Sequence, residues 1–155
     1  LNEFSCELSE MGSKDVAQKF TFKELPAGSQ LGGTEKINGV ITMQVVDNAN
    51  AIHESVHGYQ IYKTGSISAA NRINVEVPAY QRQYSLNPGS VTTQTPSDWG
   101  AITSRSDITN NWVMGIHIPN PDDPKNPYPY MRGFMPKDMK PFLQELRDAL
   151  KPKSQ

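Results

Sequence analysis

The chain has 155 residues, enough for one hydrophobic core rather than two, and it reads as a single domain over 1–155 with its core at about 37–150. Fifteen basic residues against sixteen acidic ones leave a net charge of −1, which excludes an electrostatic footprint for nucleic acid or an anionic membrane, and no run approaches the roughly 18 apolar residues of a membrane span. The single cysteine, Cys6, excludes an internal disulfide, so stability must come from packing or from a metal, and the redox compartment stays open.

The chain opens at Leu1 with neither the basic start nor the apolar stretch of a signal peptide. It therefore reads as a piece of a longer protein whose targeting signal lies upstream. Residues 1–36 are turn-rich, broken at Pro26-Ala27-Gly28 and Gly32-Gly33, and only Val16 to Leu25 offers a strand. Little chemistry is expected there. From Gly39 to Val46 a β-branched run bounded by turn formers predicts a strand. Asp47-Asn48 then supplies a cap, and Ala49 to Thr64 sets Ile52, Val56 and Tyr59 at helical spacing, with Gly65 just past the end.

A second helix is predicted over about Asn74 to Tyr84, carrying Glu76, Ala79, Tyr80 and Gln83 on one side. Pro78 limits how early it begins, and Asn87-Pro88-Gly89 ends it. Val91 to Asn111, rich in Ser, Thr, Asp and Asn, reads as loop with one short helix near Ser97 to Ile102. Trp112 to Ile118 is apolar and partly β-branched and predicts a strand that delivers His117 near its end. Six prolines from Pro119 to Pro136 predict a surface loop of polyproline character. Phe142, Leu143, Leu146 and Leu150 then form the apolar stripe of a last helix, with Pro141 in its first turn.

The residues that carry chemistry are His53-Glu54-Ser55-Val56-His57. Positions four apart lie one turn above each other on a helix, so two imidazoles can reach one ion while Glu54 projects beside them. Zinc lowers the pKa of its bound water to about 7, and a carboxylate next to metal and water can take the proton as the nucleophile attacks a carbonyl. A histidine pair alone is often surface decoration; the added carboxylates turn the reading toward a metal site. Catalytic zinc usually has three protein ligands and an open position. Glu76, with eighteen residues between it and His57, lies on the second predicted helix and can return antiparallel to the first helix as the third ligand. Ala79, three positions later, lets the two helices approach closely.

His53-Glu54-x-x-His57 followed by Glu76-x-x-Ala79 resembles the gluzincin branch of the zincin metallopeptidases, over residues about 39–84. The resemblance implies an α+β, zincin-like fold: a small mixed sheet whose edge strand precedes the motif helix and aligns substrate, a second helix with the third ligand, and a C-terminal helix. It implies Zn2+ as cofactor, held by His53, His57 and Glu76, Glu54 as general base, and a peptide or protein as substrate. In thermolysin-like members a His or Tyr further along the chain stabilises the oxyanion. His117 is the first candidate here, with Tyr80, Tyr84 and Arg132 as alternatives.

The chain also resembles, more loosely, small zincin domains at the C-termini of bacterial polymorphic toxins and RHS-type proteins, in size, in its fragment-like start and in the Tyr59-Gln60 and Ala79-Tyr80 flanks. That likeness implies a secreted or cell-surface parent. The expected function is a zinc-dependent endopeptidase; the alternatives are a catalytically silent zincin-like binding domain and a latent toxin or effector peptidase.

Overall fold

Asn38 (φ 49°) and Gly39 (φ 84°) both take left-handed backbone, the geometry of a two-residue turn that joins antiparallel strands. Around this turn the computed structural model pairs β2 (Gly33–Ile37) with β3 (Val40–Val45), starting from Ile37 opposite Val40. β1 (Phe20–Glu24) lies on the other side of β3 and parallel to it, giving a three-stranded mixed sheet in the order β1-β3-β2. Residues 2–13, 19–29, 31–95 and 99–117 are described, together with 145, 148 and 149.

The fold is α+β, as expected, but two features of the sheet differ from expectation. The strand before the motif helix is the central one, so β1 and β2 form the edges and β3 has no edge of its own to offer. β2 itself was not predicted, because Gly33-Thr-Glu-Lys-Ile carries almost no apolar signal and is half-buried or exposed throughout. Its signal was the Asn38-Gly39 turn, a strong hairpin mark when a β-branched run follows. β1 falls inside the predicted Val16 to Leu25 window.

The described residues gather into two compact units, Leu1–Val91 and Thr92–Gln155. In the first, α2 (Asn48–Thr64) packs on β3 and against α3 (Arg72–Leu86). Asp47 caps α2 by accepting from the Asn50 N–H at 2.8 Å, and Gly65 ends it in left-handed backbone with its N–H on the Ile61 carbonyl. Ile41 and Met43 of β3, Val56 and Ile61 of α2 and Ala79 of α3 make the core. Ala79 is wholly buried, in keeping with a small residue where two helices meet.

α3 corrects the reading of Pro78. The helix begins at Arg72, and Pro78 sits in its interior rather than setting its start. Its missing N–H gives up the bond to the Asn74 carbonyl and its ring crowds that carbonyl, while Ala79, Tyr80 and Gln83 just beyond it are buried. Asn87 ends α3 as predicted, but Pro88 then opens a short helix, α4 (Pro88–Thr92).

A further helix, α1 (Asn2–Ser13), occupies a segment read as irregular. It is fixed by partners remote in sequence: Glu10 accepts from Tyr59 and pairs with Lys63 of α2, both at 2.7 Å, and Glu7 pairs with Arg82 of α3 at 3.1 Å. Met11 buries its side chain beneath.

In the second unit, the described part of the strand predicted at Trp112 to Ile118 is instead a helix, α5 (Asn110–His117), and Ile118 lies outside the described residues. Thr109 receives the Trp112 N–H on its hydroxyl and the Val113 N–H on its carbonyl, which starts a helical turn. Trp112, Val113 and Ile116 are buried, spaced as one helix face, and the Trp99 ring lies against Gly115. A short apolar run reads equally as strand or helix, and tertiary packing decides. Ser104 and Asp107 cap a 3-10 turn at Arg105–Asp107. Trp99 itself is described, but Ser97 lies outside the described residues, as does the proline-rich stretch. So does most of the expected last helix, of which Glu145, Asp148 and Ala149 are helical.

Candidate metal centre

His53 and His57 stand one turn apart on the face of α2 that packs against α3, and Glu76 reaches them from the first half of α3. Three atoms converge. His53 Nε2 lies 3.0 Å from His57 Nε2 and 3.0 Å from Glu76 Oε2, and His57 Nε2 lies 3.3 Å from the same oxygen. Both histidines are buried and Glu76 is nearly so. For a tetrahedral ion with ligand bonds of 2.0–2.1 Å, neighbouring ligand atoms stand about 3.3 Å apart, so this triangle has the size a zinc-type cation needs.

Two glutamines fix which nitrogen of each ring carries the proton. Gln60 donates through Nε2 to the Val75 carbonyl at 2.9 Å, so its Oε1 faces His57 Nδ1 at 2.8 Å and accepts from it. Gln83 donates through Nε2 to Ser90 Oγ at 3.0 Å. That hydroxyl sends its own proton to the Asn87 carbonyl at 2.7 Å, so it can only accept from Gln83, and Gln83 Oε1 takes the Nδ1–H of His53 at 3.1 Å. Each imidazole, when neutral, thus holds its proton on Nδ1 and turns an Nε2 lone pair inward. Two lone pairs and a carboxylate oxygen meet with nothing but acceptors among them.

Such a set is reconciled by a cation, or failing that by a proton. Burial alone would depress His57, but the hydrogen bond and charge of Glu76, with the charge of Glu54, outweigh it and hold His57 above its ordinary value. Burial alone would likewise raise Glu76, yet hydrogen bonds from His53 and His57 and their charge hold its carboxyl far below the usual range. Among the described residues, these three form the one group of His, Cys, Asp or Glu side chains with this convergence.

Glu54 is buried next to the pair. Thr34 of β2 donates to its Oε2 at 2.7 Å, and Asn50 of α2 donates to its Oε1 at 3.1 Å. Tyr80 sets its ring edge-on to His53, centroids 4.4 Å apart, and so walls the site. Tyr84 is half-buried on α3, and His117 ends α5 in the second unit. Arg132 lies outside the described residues.

The convergent set is legible in the sequence, whereas the roles of Gln60, Gln83, Asn50 and Thr34 emerge only from the structure. Spacing marks three of them: Asn50 is four residues before Glu54, Gln60 three after His57, and Gln83 seven after Glu76, each on the face of its neighbour. Thr34 has no such mark, since it arrives from another strand. Comparison of the chain with protein-family models, with curated proteins and with solved structures finds no match.

Proposed function

We propose that the chain is a zinc-dependent metallopeptidase domain of gluzincin type that hydrolyses peptide bonds, with His53, His57 and Glu76 holding the metal and Glu54 as general base. The observation that carries this reading is the meeting of two tautomer-fixed Nε2 atoms and Glu76 Oε2 at 3.0 to 3.3 Å. With the Nδ1 protons committed to Gln60 and Gln83, two neutral imidazoles leave no proton for the three inward-facing atoms, and a cation supplies the positive charge they share.

A bound Zn2+ supplies a Lewis acid and makes a coordinated water acidic near neutral pH. The chain's own residues do the rest. Glu54 lies between the two ligating histidines in sequence, and its charge is felt at His57. Its carboxylate takes the proton of the attacking water and then delivers it to the amine nitrogen of the leaving peptide. β2, the outer strand that touches Glu54 through Thr34, assumes the part expected of the preceding strand and offers an edge along which an extended peptide aligns.

Replacing Glu54 with Gln tests the reaction. Cleavage of a diverse peptide library falls by about 10²- to 10⁴-fold while zinc is retained. Full activity in Glu54→Gln refutes the base, and a zinc-loaded parent that cleaves nothing favours a zinc-stabilised binding domain.

A further inference from the structure

Beside the ligand set, a second group of polar side chains converges on the Glu54 carboxylate. Both carboxylate oxygens receive a neutral donor: the Thr34 hydroxyl on Oε2 at 2.7 Å and the Asn50 amide on Oε1 at 3.1 Å. The Asn50 amide is not free to turn, because its Oδ1 accepts the Val46 N–H at 3.0 Å and so directs its Nδ2 to Glu54. Thr34 also lies 3.1 Å from the main-chain carbonyl of Glu54, which ties the outer strand to the helix at this residue. Gly32, one residue before β2, leaves the space that the Asn50 carboxamide fills: a Cβ there would collide with Asn50 Oδ1 and the Gln44 carbonyl.

We propose that Thr34 and Asn50 are positioning residues that orient the Glu54 carboxylate. A glutamate side chain has three rotatable bonds, and a base that samples many rotamers points at its proton only part of the time. Donors from two elements, one on each oxygen, remove that freedom and still leave a lone pair on each oxygen to take a proton. The part this plays in turnover rests on the hydrolase reading above; the hold on the carboxylate does not.

The test uses the full chain. Thr34→Val removes the hydroxyl at nearly constant shape, and Thr34→Ser keeps it. Asn50→Asp keeps the acceptor for Val46 but turns an oxygen toward Glu54. With zinc bound, on the best-cleaved member of a quenched-fluorescent peptide library, Thr34→Val and Asn50→Asp each lower kcat by about 10- to 100-fold with KM within about 2-fold. Zinc affinity of Thr34→Val, read by competition with a chromophoric chelator, stays within about 3-fold. Thr34→Ser brings kcat back toward the parent.

A second readout needs no turnover. In metal-free protein Thr34→Val lowers Tm by about 2–4 °C, because a buried carboxylate loses a donor, whereas in a Glu54→Leu background the same change moves Tm by less than about 1 °C. An equal Tm loss in both backgrounds overturns the proposal, as does an unchanged kcat in Thr34→Val. A parent that cleaves no peptide, with the Tm coupling intact, sinks the hydrolase reading and leaves the hold on Glu54 standing.

Discussion

Gln60 sets the tautomer of His57: its amide N–H is spent on the Val75 carbonyl at 2.9 Å, so only its carbonyl oxygen is left to face His57 Nδ1 at 2.8 Å. Gln83 does the same for His53. An imidazole offered in the correct tautomer needs no proton rearrangement when a cation arrives, and partners of this kind typically account for 10- to 100-fold in metal affinity. Gln60→Ala and Gln83→Ala are each expected to weaken zinc binding by about 10- to 100-fold in a chelator competition. In metal-free protein, at a pH above the raised value of His57 where that ring is neutral, their imidazole nitrogen-15 shifts should move from the Nδ1–H pattern toward a mixture. Unchanged shifts and affinity in both variants would contradict the assigned tautomers.

The same cluster sets a pH dependence of the metal-free fold. His57 is held above its ordinary 6.5, so its stabilising contribution is complete below that value and is lost as pH rises through the raised one. Glu76 is held below its ordinary 4.5, so its contribution is complete above 4.5 and is lost as pH falls through the lowered value. With a chelator present, thermal stability should peak between those two ordinary values and decline on the alkaline side. Glu76→Gln removes the partner that raises His57 and should flatten that decline. Zinc needs a neutral His57, so affinity should still be rising from pH 6.5 upward. A zinc affinity already constant from pH 6.5 upward would contradict the coupling.

Two adjacent glycines separate space from composition. An alanine at Gly32 would strike Asn50 Oδ1 and the Gln44 backbone carbonyl, whereas one at Gly33 would meet nothing within 4 Å. Gly32→Ala should cost about 1–3 kcal/mol in denaturant unfolding, the range for an overpacked site, and should slow any hydrolysis by displacing Asn50 from Glu54. Gly33→Ala should stay within about 0.5 kcal/mol of the parent. Equal effects at the two positions would contradict the close approach of Asn50 to Gly32.

What was legible in the sequence was what local spacing encodes. Ile52, Val56 and Tyr59 with Asp47 and Gly65 marked α2, and the interval from His57 to Glu76 marked the helix that returns the Glu76 carboxylate. What was not legible depends on partners far along the chain. α1 has few apolar residues and is held by Glu7 and Glu10 reaching Arg82, Tyr59 and Lys63. β2 is polar and is placed by the Asn38-Gly39 turn, which puts β3 in the middle of the sheet rather than at its edge. Trp112 to His117 carries an apolar run that fits either period, and the Thr109 cap and the Trp99 ring against Gly115 resolve it as helix.

The most direct measurement is elemental analysis of the purified chain after zinc loading and removal of excess, for the parent and for His57→Ala. The account predicts one zinc per chain in the parent and a loss of most of it in the variant, since His57 supplies one of the three convergent atoms. A parent that retains no zinc, or a His57→Ala protein that retains as much as the parent, would contradict a cation held by His53, His57 and Glu76.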